Sequence, residues 1–114
     1  MARIRIEIMR KEEKMFIHIV TWKLKENAEG RSKEENIRLI LGKINTLPAL
    51  IPQVKSLKAG ADVLHTPASY DFGLVGEFEN QADFLIYRDH PEHIKVAQLI
   101  SNLTTDRVSL DFVV

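Results

Sequence analysis

Two of the chain's four histidines and one of its two tyrosines fall in the run Tyr87-Arg88-Asp89-His90-Pro91-Glu92-His93. Imidazoles titrate near neutrality, so this grouping beside a phenol suits proton transfer. Pro91 stands where a helix can begin, because its missing N–H costs nothing at the first helical position. His90 and His93 are three apart and would lie near one face of that helix. Each side chain also has an architectural reading. His90 can cap the helix, His93 can donate to a backbone carbonyl or a carboxylate, and Tyr87 can be a half-buried aromatic. His18, among apolar neighbours upstream, is either a satisfied buried histidine or a cavity histidine. A metal site is not expected, because the two motif imidazoles lack a third protein ligand and a helix points Asp89 and Glu92 away from them. No Gly-rich phosphate loop, Ser-His-Asp order or carboxylate pair stands out, and no cofactor is implied.

These residues sit in an ordinary globular composition. The chain has 114 residues, 45% apolar and 28% charged, enough for one domain with a core. Sixteen basic residues balance sixteen acidic ones, and without a basic stripe neither nucleic acid nor an anionic membrane is an expected partner. The absence of cysteine excludes disulfides and thiolate chemistry. No apolar run approaches the roughly 20 residues of a membrane span, and no signal-peptide core is present. A cytoplasmic location is the expectation.

The patterning supplies the elements that must hold the site. Residues 2–8 alternate Ala2, Ile4, Ile6 and Ile8 with Arg3, Arg5 and Glu7, which reads as a strand. Met15 is a second candidate start, so residues 1–14 are either an N-terminal extension with an extra strand or an upstream start; the alternation favours the strand. Residues 15–114 form the domain proper. Met15 to Leu24 is a strand with Phe16, His18, Val20, Trp22 and Leu24 on one face and Ile17, Ile19 and Thr21 on the other. Both faces are largely apolar, so both should be covered. Ser32-Lys33-Glu34-Glu35 is a capping box for a helix with Ile37, Ile40, Leu41, Ile44 and Leu47 inward. Pro48 ends it. Val54 to Leu64 is a weaker strand with a bulge at Gly60, and Tyr70 to Phe78 is another. Asn80 caps a short helix. Pro91 opens the last helix, with Ile94, Ala97, Ile100 and Leu103 inward. Val108, Leu110, Phe112 and Val114 mark the final strand.

The order β-α-β-β-α-β predicts an α+β, ferredoxin-like antiparallel sheet with helices on one face. The uncovered face then calls for a second copy of the sheet, a homodimer.

Three pieces resemble the stress-responsive α/β-barrel (Dabb) family over residues 15–114. They are His18-Ile19-Val20-Thr21-Trp22-Lys23-Leu24-Lys25, Tyr70-Asp71-Phe72-Gly73-Leu74-Val75-Gly76-Glu77-Phe78, and the H-P-x-H of His90-Pro91-Glu92-His93. The resemblance implies a dimer whose two sheets form a barrel. One branch, the olivetolic acid cyclases, performs an aldol condensation in a cavity. It places a tyrosine six residues before the catalytic histidine that ends the H-P-x-H, and another histidine on the first strand. Tyr87, His93 and His18 occupy the matching positions. The expectation is therefore a small hydrophobic or carbonyl ligand in the barrel cavity, with His18, Tyr87 and His93 as acid–base residues and His90, Trp22 and Phe72 facing the ligand. The alternative is a non-enzymatic stress-responsive dimer whose barrel is filled by Trp22, Phe72 and Leu74. A monooxygenase like those of antibiotic biosynthesis is a third reading, on analogy of fold alone.

Overall fold

The computed structural model describes residues 14–114; the extra strand expected from the alternation of residues 2–8 lies outside them. The element order is β1 (Phe16–Leu24), β2 (Asn27–Ala28), β3 (Arg31–Ser32), α1 (Lys33–Ile44), α2 (Leu47–Leu50), β4 (Val54–Ala61), β5 (Phe72–Phe78), α3 (Gln81–Asp89), α4 (Pro91–Leu103) and β6 (Thr104–Val113). Four strands form an antiparallel sheet in the order β4-β5-β1-β6. β1 and β5 thus pair at the sheet's middle, with β4 and β6 at its edges, as the ferredoxin-like expectation requires. No described helix is long and apolar enough to cross a membrane.

The alternation of β1 sets the layers. Phe16, His18, Val20, Trp22 and Leu24 are all buried beneath the helices, and the intervening residues are only partly covered. In an antiparallel ladder, directly paired residues share a face. Pairing of Val20 with Leu74 and Trp22 with Phe72 extends the helix-side face onto β5. On this face Ile40, Ile44, Leu47, Ile51, Phe78 and Leu103 are essentially sealed. The opposite face carries Ile17, Ile19, Thr21, Val75, Val108, Leu110 and Phe112, with nothing of this chain's described part across it.

Local signals explain the element ends. Ser32 and Glu35 form the reciprocal capping box of α1. Asn80 accepts from the Asp83 amide at 2.8 Å to start α3. Between β1 and α1, Glu29 and Gly30 both have positive φ (54° and 74°) and close a two-residue hairpin, the backbone that matches strand twist. Buried Asn36 ties that hairpin to α1, accepting from Arg31 Nε at 2.7 Å and donating to the Ala28 carbonyl at 3.1 Å.

Five details differ from the sequence expectation. Pro48 lies in the first turn of α2 instead of ending α1, since a proline is tolerated where amides have no partner anyway. β4 stops at Ala61, and Val63 and Leu64 are exposed. The register of β4 shifts between Val54 and Ser56, not at Gly60, which pairs regularly with Gly73. Tyr70 precedes β5 and lies under the Lys23 ammonium. On α4 the buried residues are Val96, Ile100 and Leu103, while Ile94 and Ala97 are exposed; the helix is rotated so that His93, Val96 and Ile100 share the inward stripe.

Candidate functional site

The run from Tyr87 to His93 is a helix junction, and its backbone accounting explains the site. His90 closes α3 and opens α4 with extended backbone (φ −67°, ψ 136°), as expected for a residue pushed out of the helical region by a following proline. Its imidazole Nδ1 accepts from the Glu92 amide at 3.1 Å. That amide would otherwise serve the Arg88 carbonyl four residues back. The freed carbonyl is taken by His93, whose Nδ1 lies 2.8 Å away. A carbonyl can only accept, so Nδ1 of His93 carries the hydrogen and Nε2 keeps its lone pair.

His18 is held in the same way from the other side. Its Nδ1 lies 2.5 Å from Oδ1 of Asp111, its direct partner across the β1–β6 ladder. A carboxylate accepts, so Nε2 of His18 is again the open nitrogen. The two imidazoles, from β1 and α4, line one cavity of about 310 Å³ together with Tyr87. Val20, Trp22 and Leu74 floor it, Ile44, Leu47, Val96 and Ile100 wall it, and Ser101, Thr104 and Arg107 stand at its polar end.

Burial tunes the groups in opposite senses. Loss of solvent pushes the Tyr87 phenol up to about 12, so it stays protonated and can only donate. Burial holds His93 below the ordinary imidazole value. The Arg88 carbonyl opposes this, and the charges of His18 and Arg107 add to it. His93 is thereby a neutral base at physiological pH. The rings of Tyr87 and His93 lie 4.4 Å apart. Among the described residues the Tyr87 hydroxyl bonds to no protein group, yet no sealed polar side-chain atom there lacks a partner; the hydroxyl therefore opens on the cavity it lines.

The structure thus brings His18, Tyr87, His93 and Trp22 together. It does not place His90 or Phe72 on the cavity wall: His90 is occupied as a cap, and Phe72 stacks behind Trp22 at 4.6 Å. The cavity lies between sheet and helices of one chain, not between two facing sheets, because His18 and Trp22 are on the helix-side face. Trp22, Phe72 and Leu74 leave this space open. Asp111 and Arg107 escape a sequence reading. Asp111 sits 93 positions from His18, and only the strand register joins them. Its one signal is a polar residue alternating with Leu110 and Phe112. No three His, Asp or Glu side chains of the described residues gather to hold a metal ion.

A ferredoxin-like sheet carrying a His/Tyr-lined cavity under its helices defines the architectural class. The chain belongs to the stress-responsive A/B barrel domain (Dabb) family, whose model matches residues 16–114. No curated protein sequence matches it significantly. Among solved structures, it is similar to a dimeric ferredoxin-like protein of unknown function from Thermobifida fusca. That protein is 26% identical, with 89% of this chain and 92% of that one covered and a TM-score of 0.77. A dimeric protein of unknown function from Bacteroides fragilis is also 26% identical, covering 86% and 94% with a TM-score of 0.70. Hydroxynitrile lyase from Passiflora edulis is 23% identical, covering 88% and 93% with a TM-score of 0.72, and is similar in fold.

Proposed function

We propose that this chain acts as a homodimer that binds a small hydrophobic carbonyl compound in the cavity and performs lyase- or cyclase-like acid–base chemistry on it. The carrying observation is that His93 and Tyr87 converge there in complementary protonation states. One is a neutral base with a bare Nε2; the other is a phenol that keeps its proton. In the proposed reaction His93 Nε2 takes a proton from the carbon next to the carbonyl. The C–H electron pair moves to the carbonyl oxygen, and Tyr87 donates a hydrogen bond to the oxyanion that forms. The enolate then collapses by attacking a second carbonyl of the same molecule or by expelling a group from the neighbouring carbon, and His93 returns the proton. His18, fixed by Asp111, is placed to serve the second carbonyl or the leaving group. The apolar wall excludes water and orients the ligand.

Two observations support the dimer. The apolar face of β1, β5 and β6 has no described cover within the chain, and similar proteins are described as dimeric. The lyase among the fold relatives supports the class of chemistry by analogy only.

The test is an NMR titration with a panel of alkyl ketones, aryl ketones and keto acids. Binding of at least one compound should shift resonances of Trp22, Val96 and Ile100. A panel that moves none of them contradicts the reading. Binding with no chemistry on any panel member would favour a carrier or structural dimer instead.

A further inference from the structure

We propose that the cavity's ligand carries a carboxylate as well as a carbonyl, and that Arg107 binds the carboxylate at the polar end. This rests on the carbonyl reading above and narrows its substrate class to keto acids.

Arg107 pairs with Trp22 across the β1–β6 ladder, so it projects from the helix-side face, beside the cavity floor. Neither neighbouring carboxylate pairs with it. Asp111, on the same face, is bonded to His18. Asp106 also borders the cavity, but it pairs in register with Lys23 and makes no ion pair with Arg107. Every ion pair among the described residues involves other cations. The one hydrogen bond of the Arg107 guanidinium runs from Nη1 to Ser109 Oγ at 3.3 Å. Of its five N–H donors, four therefore have no described protein acceptor.

A guanidinium fork is shaped for bidentate carboxylate recognition. Ser101 and Thr104 add hydroxyl groups at the same end of the cavity. Arg107 is exposed at the cavity's rim, so an anion there is recognised by the fork's geometry more than by desolvation. The same positive charge disfavours protonation of His93, so a ligand that neutralises Arg107 also strengthens the base. The layout orders the ligand: carboxylate at Arg107, hydrocarbon along Val20, Val96 and Ile100, carbonyl toward Tyr87 and His93.

The experiment measures affinity of the full chain for methyl-ketone derivatives of hexanoic, heptanoic and octanoic acid, each against its methyl ester. The acid and ester share one skeleton and differ in charge. At least one acid should bind on the order of tenfold or more tighter than its ester, the scale of a charge-assisted hydrogen bond. Arg107→Met should erase that ratio, and Arg107→Lys should restore part of it. Equal affinity for acid and ester, or a ratio that survives Arg107→Met, overturns the inference while leaving the carbonyl reading intact. Binding of neither compound overturns both. An acid preference that depends on Arg107 without any proton exchange on the ligand supports the inference and removes the chemistry.

Discussion

The Nδ1 of His93 lies 2.8 Å from the carbonyl oxygen of Arg88, an acceptor left without its helical partner where Pro91 restarts the helix. A single junction thus does two things. It breaks the chain between α3 and α4, and it fixes which nitrogen of His93 faces the cavity. His90, by capping α4 and occupying the Glu92 amide, maintains that vacancy at Arg88. The architectural and the chemical readings of this motif are therefore the same set of hydrogen bonds seen from two sides.

Tyr87→Phe should keep the fold, because the ring stays packed against Phe78 and His93 and only the hydroxyl is lost. Turnover of a bound ketone should fall about 10²–10³-fold, the scale for one oxyanion donor. Steady-state kinetics beside a thermal melt separates lost chemistry from lost stability.

Burial lowers the folded-state pKa of His93 relative to its unfolded value. Its contribution is therefore fully present above the ordinary imidazole value of 6.5 and is lost as pH falls through the lower folded value. Urea unfolding at several pH values should show stability dropping with acid across that window. His93→Gln should flatten this part of the profile; an unchanged slope would mean another group carries it. At the alkaline end the sign reverses. The raised Tyr87 value of about 12 makes the neutral phenol's contribution complete below about 10, and lost as pH rises through about 12.

Removing the carboxylate of Asp111 strands the nearly sealed His18 ring. Asp111→Ala should destabilise the chain by about 1–3 kcal/mol, the cost of an unpaired buried polar group. Asp111→Asn, which keeps an acceptor at the same place, should cost less. Denaturant midpoints with an unchanged m-value would check both.

The uncovered face makes a prediction about assembly. Ile19 and Leu110 are direct partners on β1 and β6, both on that face. Ile19→Asp or Leu110→Asp puts a charge where a second sheet would pack, so sedimentation should shift from dimer to monomer. Val63→Asp, on an exposed loop outside the sheet, should leave the dimer unchanged. A wild-type monomer at micromolar concentration would contradict the proposed assembly.

How much of this the sequence reveals depends on the range of the interaction. The capping box at Ser32, the cap at Asn80 and the alternation of β1 are local, and each is legible from a few adjacent residues. The layer containing His18 follows directly from that alternation. The Glu29-Gly30 hairpin is local too, but its strands are two residues each, too short for a periodic signal. Apolar spacing alone does not fix a helix's rotation, so it places Ile94 inward; packing of Val96, Ile100 and Leu103 against the sheet turns Ile94 out, while Ala97, though exposed, still borders the cavity. Asp111 and Arg107 belong to the site only through the β1–β6 register, a pairing of chain ends that no local pattern encodes. The cavity's position under the helices, instead of between two sheets, follows from His18 and Trp22 lying on the helix-side face of β1.

The central claim is that His93 removes a proton from a carbonyl compound held in this cavity. Exchange of the ligand's α-hydrogens for deuterium in heavy water, followed by proton NMR, reads that step without needing the final product. The account predicts that the wild-type chain speeds exchange of a bound ketone or keto acid well above buffer, and that His93→Gln slows it by about 10²–10⁴-fold with the fold intact. Exchange no faster than buffer, or equal rates for wild type and His93→Gln, would contradict it.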